Sequence, residues 1–109
     1  MKILYSSEFK RNLRRLVKKY RHIRSDVEPI IKQLQLGEIL GDQIPRVKYI
    51  LYKVRIRNSD VQRGKSAGYR LIYCFRDSEQ IVLITIYSKF GQNDINATQI
   101  YHILEEFDE

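Results

Sequence analysis

Three strand-like segments follow one another between residues 47 and 89, and they limit what this chain can fold into. The predicted strands run roughly over Val47 to Arg57, Gly68 to Arg76 and Gln80 to Lys89. Only the residues DSE at 77–79 separate the last two, which predicts a tight hairpin, while a longer loop separates the first two. Consecutive strands with these connections predict an antiparallel sheet.

A helix is predicted before these strands, close to the N-terminus. Apolar residues recur there at the spacing of one helix face: Phe9, Leu13, Leu16, Val17 and Tyr20. Ser6 or Ser7 supplies the side chain expected at the start of this helix. A short strand is predicted just before it, from Ile3 to Tyr5.

Two more helices complete the predicted order of elements. Ser25 or Asp26 is expected to cap the second helix and Gly37 to end it, while Asp94 or Asn96 is expected to open the third. The order β-α-α-β-β-β-α predicts an α+β fold. In this fold two N-terminal helices pack on a small, mostly antiparallel sheet that is followed by a C-terminal helix.

Length and composition favour one globular domain over residues 1–109. The chain has 43% hydrophobic residues and a single cysteine, and no Cys/His cluster has the spacing of a zinc site. The apolar run near the N-terminus is too short for a signal peptide or a membrane span. We therefore expect a cytoplasmic protein with no metal, no cofactor and no membrane partner.

Positive charge is concentrated in two blocks of a chain whose net charge is +7. Residues 1–24 contain nine Lys/Arg and one acid, and residues 46–70 contain eight Lys/Arg and one acid. The two remaining segments are both net acidic. Such clustering favours a polyanionic partner, although a solvated basic surface is the alternative.

Strand periodicity predicts that the second basic block lies on one face of the sheet. In the first long strand, the residues expected on the core face are Ile50, Tyr52, Val54 and Ile56. The residues expected on the opposite face are Lys53, Arg55 and Arg57. In the last strand, Thr85, Tyr87 and Lys89 are expected to form a polar face opposite Val82, Ile84 and Ile86.

Aligning these strands brings cations from different parts of the sequence together. Arg55, Arg70, Tyr87 and Lys89 are predicted to converge beside the loop that contains Arg63 and Lys65. One guanidinium group can bind two phosphate oxygens at once, and an ammonium group adds point charge. A tyrosine can stack on a base or exchange a proton. The predicted surface therefore suits a nucleic-acid phosphate.

Five short segments, in order, give the chain a family resemblance. They are GDQIP at 41–45, KVRI at 53–56, GKSAGYRLIY at 64–73, LITIYSK at 83–89 and NDINATQI at 93–100. With these segments the chain resembles the RelE/ParE superfamily of bacterial type II toxins, and most closely the HigB-like branch of RelE. The resemblance covers nearly the whole chain from about Ser6.

The resemblance implies a toxin that cleaves mRNA on the ribosome without a metal and is neutralised by a cognate antitoxin. The ribosome, mRNA and the antitoxin are then the expected partners. The catalytic residues implied by motif position are Arg55, Arg70, Tyr87, Lys53 and Lys65. The implied RNA-binding residues are Arg57, Arg63 and Lys89.

Two other functions remain open for the same sequence. A ParE-like inhibitor of DNA gyrase would share the predicted fold without catalysing a reaction. A toxin homologue that only binds nucleic acid would share both the fold and the basic surface.

Overall fold

The computed structural model describes residues 1–61, 67–89 and 94–108. Over these residues the fold is α+β, with three helices and a five-stranded sheet. The elements in chain order are β1 (Lys2–Tyr5), α1 (Ser7–Lys19), α2 (Ile23–Gln35), β2 (Asp42–Gln43), β3 (Leu51–Ile56), β4 (Tyr69–Phe75), β5 (Gln80–Ser88) and α3 (Ala97–Phe107).

The sheet has the strand order β1-β5-β4-β3-β2. Strand β1 runs parallel to β5, and every other neighbouring pair is antiparallel. The predicted fold class is confirmed, and the two-residue strand β2 is an addition to the predicted order. Because β3, β4 and β5 are adjacent, side chains at opposed positions on them form rows across the sheet.

Apolar cores lie on both faces of the sheet. Helices α1 and α2 cover one core, which includes Val54, Leu71 and Leu83. The other core contains Leu51 and Ile72 and is covered by α3 through residues such as Ile103. The prediction of one apolar face and one cationic face is therefore wrong, because α3 buries part of the second face.

The first long strand is shorter than predicted. It starts at Leu51, and the residues before it are irregular, with a positive φ of 60° at Arg46. Ile50, predicted in the core, is 53% exposed, whereas Leu51 is fully buried against the α3 side. The alternation predicted for Tyr52, Val54 and Ile56 is confirmed, because all three pack in the core beneath α1 and α2.

A β-bulge in β5 changes which of its residues share a face. Ile72 pairs with Thr85 while Tyr73 pairs with Leu83, so Ile84 has no opposed residue on β4. After the bulge, Tyr87 packs in the same core as Ile84, and Ile86 packs in the other. The predicted grouping of Ile84 with Ile86 is therefore wrong.

Helix α2 begins earlier than Ser25 or Asp26. Its N-cap is His22, whose backbone N–H donates to Asp60 Oδ2 at 3.0 Å. This distant carboxylate satisfies a helix N-terminus that has no side-chain cap of its own. The predicted end is confirmed, because Gly37, with φ of 89°, follows the C-cap Leu36.

Ser6 joins the start of α1 to the bulge in β5. Its hydroxyl accepts from the backbone N–H of Phe9 at 2.9 Å and donates to the carbonyl of Ile84 at 2.5 Å. Ser6 is 1% exposed, so both bonds are shielded from water. A single side chain thus caps the helix and binds the carbonyl of the bulged residue.

Replacing Ser6 with alanine should lower the free energy of unfolding by about 2–3 kcal/mol, since it removes a cap and leaves a buried carbonyl without this donor. Urea denaturation followed by circular dichroism measures this change. Ser25→Ala is the matched control, because the Ser25 hydroxyl is exposed and donates to the carbonyl of His22, and it should cost no more than about 0.5 kcal/mol. Equal losses in the two variants would contradict the assigned role of Ser6.

Helix α3 begins with a capping box. The Asn96 side chain accepts from the backbone N–H of Gln99, and the Gln99 side chain accepts from the backbone N–H of Asn96, each at 2.9 Å. Of the two predicted caps, Asn96 is therefore the one used. Asp94 lies two residues before the cap, where its side chain is available for other contacts.

Candidate anion-binding site

The opposed positions on β3, β4 and β5 place two arginines and a tyrosine in one row. Arg55 is opposite Arg70, and Arg70 is opposite Tyr87. Directly opposed side chains in antiparallel sheets have Cβ atoms about 5 Å apart. Lys53 is two residues before Arg55 on the same strand, and Lys89 directly follows β5. We call these five residues, Lys53, Arg55, Arg70, Tyr87 and Lys89, the basic face.

Exposure differs strongly within the basic face. Arg55 is exposed, and the side chains of Lys53 and Lys89 are each 34% exposed. Arg70 is only 5% exposed and Tyr87 only 2%. The two lysines and Arg55 can therefore meet a ligand directly, while Arg70 and Tyr87 lie beneath them.

The opposed arginines make the basic face electrostatically unusual. Like charges directly across two strands destabilise a sheet, and a largely buried guanidinium adds a desolvation cost. Arg70 Nη1 donates to the carbonyl of Tyr69 at 3.3 Å. A bound anion would relieve repulsion between the opposed guanidinium groups, so the row favours anion binding.

One carboxylate already lies on the basic face. Asp94 Oδ1 accepts from Lys89 Nζ at 2.9 Å and from the Tyr87 hydroxyl at 3.1 Å, and it lies 3.8 Å from Lys53 Nζ. The hydrogen bond from Lys89 is the main cause that lowers the pKa of Asp94. Asp94 is therefore ionised at neutral pH.

Tyr87 is a hydrogen-bond donor rather than a stacking platform. With 2% exposure, its ring has no open side on which a base could stack. Burial and the charge of Asp94 raise its pKa to about 12. The phenol therefore stays protonated near neutral pH and can donate a hydrogen bond or a proton. The sequence predicted that Tyr87 stacks on a base or exchanges a proton, and only proton exchange fits this arrangement.

The raised pKa of Tyr87 predicts a loss of stability at high pH. Because the protonated phenol is favoured in the folded state, its contribution is complete below the unfolded pKa of about 10 and is lost as pH rises to about 12. The free energy of unfolding of the wild type should fall more steeply over this interval than that of Tyr87→Phe. Urea titrations at several pH values measure both slopes, and equal slopes would contradict the shift.

The other three predicted site residues lie just after β3 or outside the described ranges. Arg57 is exposed one residue beyond the end of β3. Lys65 and Arg63 fall outside the described residues, so their predicted positions beside the basic face stay predictions. The predicted convergence of Arg55, Arg70 and Tyr87 is present in the strand register.

Asp94 is the site residue that sequence reasoning missed. The sequence predicts Asp94 only as a possible helix cap, and no strand or helix period connects it with Tyr87 or Lys53. One signal was present, because Asp94 is the single acidic residue between Glu79 and Glu105. An isolated acid close in sequence to a basic strand end is a reasonable candidate for an internal ion pair.

The chain was also compared with known protein families, and no family model matches it. In residues 1–61, 67–89 and 94–108, no three His, Cys, Asp or Glu side chains form a group that could hold a metal ion. Over the same ranges, no helix is both long and apolar enough to cross a bilayer.

Proposed function

We propose that the protein is a ribosome-dependent mRNA endoribonuclease, the toxin of a type II toxin–antitoxin pair that acts in the cytoplasm. The single observation that supports this most is the row Arg55, Arg70 and Tyr87 across three neighbouring strands. The row combines anion-binding groups with a proton donor, which together suit phosphoryl transfer. The motifs GKSAGYRLIY and LITIYSK support the same assignment by resemblance.

The proposed reaction uses the RNA's own nucleophile. The 2′-hydroxyl attacks the adjacent phosphorus, the bond from phosphorus to the 5′-oxygen breaks, and the products are a 2′,3′-cyclic phosphate and a 5′-hydroxyl end. The 2′-hydroxyl proton passes to solvent or to a ribosomal group. The departing 5′-oxygen takes a proton from water, or from Tyr87 once a rearrangement brings the phenol within reach, and the phenolate then regains a proton from solvent. Arg55 and Lys53 stabilise the extra negative charge on the phosphorane.

In this proposal the ribosome orients the mRNA for the reaction. Asp94 is held as a carboxylate by Lys89 and Tyr87, and its lowered pKa makes it a weak base. The raised pKa of Tyr87 keeps the phenol protonated at neutral pH, so it cannot accept a proton. Without a strong base, the rate depends on how well the 2′-hydroxyl is aligned with the phosphorus. A ribosome-bound mRNA fixes this alignment, whereas a free strand does not.

Primer extension on a defined mRNA, incubated with the purified protein with and without translating ribosomes, tests the proposed function. We expect cuts in phase with codons only when ribosomes are present. A protein without activity in either reaction would not be this nuclease. Cuts of equal strength in both reactions would contradict the role of the ribosome.

A non-catalytic binding protein is the second candidate, and the burial of Arg70 and Tyr87 favours it. Groups with 5% and 2% exposure cannot reach a phosphate without a rearrangement. Such a protein would bind RNA through Lys53, Arg55 and Lys89 and leave it intact. A gel shift with free RNA, together with uncut mRNA on translating ribosomes, would identify this function.

The cognate antitoxin is the remaining proposed partner. An acidic segment of that antitoxin would neutralise the exposed cations of the basic face. Co-purification with the product of an adjacent gene, and loss of RNA cleavage in that complex, would support the assignment. Cleavage at full rate in the complex would contradict it.

A further inference from the structure

The contacts of Asp94 are concentrated on one oxygen atom. Oδ1 meets the Tyr87 hydroxyl, Lys89 Nζ and Lys53 Nζ at 3.1, 2.9 and 3.8 Å. Two ammonium groups and a phenol are the donor set that a phosphate oxygen would use. The carboxylate therefore lies where donors of the basic face converge, at the position that a ligand phosphate would occupy.

Asp94 can leave this position without disrupting a helix. Its side chain is 51% exposed, and it precedes the capping box formed by Asn96 and Gln99. The bonds of that box do not involve Asp94. Moving the carboxylate away would therefore break its contacts with Tyr87, Lys89 and Lys53 and leave the start of α3 intact.

An RNA phosphate and the Asp94 carboxylate cannot share these donors at low cost. Two anions a few ångströms apart repel each other, and the repulsion is only partly screened in a half-exposed site. Either the carboxylate moves away when a phosphate binds, or the phosphate binds more weakly beside it. In both cases removing the charge of Asp94 favours the phosphate.

We propose that Asp94 is an internal competitor that occupies the phosphate position of the basic face and limits its affinity for nucleic acid. The inference rests on the proposed function in taking an RNA phosphate as the ligand. Removing the charge of Asp94 should strengthen nucleic-acid binding, whereas removing a cation of the basic face should weaken it. Asp94 thereby restrains the binding of free RNA.

Asp94→Asn tests the inference, because the amide keeps the shape and an acceptor oxygen while removing the charge. Asp108→Asn is the matched control, since Asp108 is 49% exposed and its carboxylate pairs with Arg76 at 2.7 Å near the end of α3. Both variants change the net charge equally. Any difference between them therefore reports the position of the charge.

Two probes are used with the full chain. Inorganic phosphate is titrated against 15N-labelled protein by NMR, and a fluorescent 2′-O-methyl RNA hexamer, which cannot be cleaved through its 2′-oxygens, is titrated by anisotropy. At low salt, Asp94→Asn should bind both probes about tenfold more tightly than the wild type, and the difference should shrink as salt is added. Asp108→Asn should stay within about twofold of the wild type.

The outcomes separate this inference from the proposed function. Equal or weaker phosphate binding by Asp94→Asn, or no binding by any variant, overturns the inference. An equal gain in Asp108→Asn also overturns it, because the effect would then be one of net charge. Tighter phosphate binding by Asp94→Asn together with uncut mRNA on ribosomes removes the nuclease and leaves Asp94 as the competitor.

Discussion

Arg55→Ala should cut ribosome-bound mRNA about 100-fold more slowly than the wild type, with little change in thermal stability. Arg55 is the exposed member of the row that includes Arg70 and Tyr87, so its guanidinium can contact a phosphate directly. Removing an exposed cation that faces another cation also relieves repulsion within the sheet. The loss should therefore appear in the rate of cleavage and not in the folding of the protein.

Single-turnover cleavage on a fixed ribosomal complex measures this loss, and a melting curve on the same sample measures stability. Arg24→Ala is the control, because Arg24 is exposed on α2, on the other side of the sheet. It should cleave within about twofold of the wild type. Full activity in Arg55→Ala would remove Arg55 from the site.

Arg70→Ala is a less informative variant, although the sequence motif points to Arg70 equally. Its side chain is 5% exposed, so an alanine would leave a cavity in the sheet as well as remove a charge. Loss of activity could then come from the missing charge or from a damaged fold. Replacing Arg55 distinguishes the two, because its exposed side chain leaves no cavity.

The second large expected effect is a loss of stability on replacing Gly68, the residue that directly precedes β4. A Cβ placed there would lie 2.0 Å from the carbonyl oxygen of Ile56 and 3.1 Å from the backbone nitrogen of Asn58. Backbone atoms in a paired strand cannot move aside as a flexible side chain can. Gly68→Ala should therefore force β3 and β4 apart beside Arg70.

We expect Gly68→Ala to lower the free energy of unfolding by about 3 kcal/mol, as overpacking against backbone does. For a domain of this size the melting temperature should fall by roughly 12 °C or more. Gly37→Ala is the comparison, because a Cβ there meets nothing within 4 Å and the cost arises only from its φ of 89°. That variant should lose about 1 kcal/mol. A smaller loss at Gly68 than at Gly37 would contradict the steric explanation.

Periodicity predicted the strands and their basic residues because alternation across β3 and β4 is regular. Burying Val54 and Leu71 on the same face is compatible with the register that places Arg55 opposite Arg70, and this register is the one observed. The position of Tyr87 was predicted for the wrong reason. It reaches the row because a bulge at Ile84 shifts the alternation by one residue.

Other features could not be predicted because they depend on contacts between distant parts of the chain. Helix α2 starts early because Asp60 binds the backbone of His22, 38 residues away in sequence. The burial of Arg70 and Tyr87 depends on how the elements pack around the sheet. The ion pairs of Asp94 join it to Lys53 on β3 and to Lys89, and no local pattern connects Asp94 with β3.

The most direct test of the account uses two ribosome-bound mRNAs that differ in one atom. One is all ribose, and the other has a single 2′-deoxynucleotide on the 5′ side of the bond that is cut. We predict that the first is cleaved to a 2′,3′-cyclic phosphate and a 5′-hydroxyl, and that the second stays intact at that bond. An uncut ribose template, or a deoxy template cut at the same rate, would contradict the proposed chemistry.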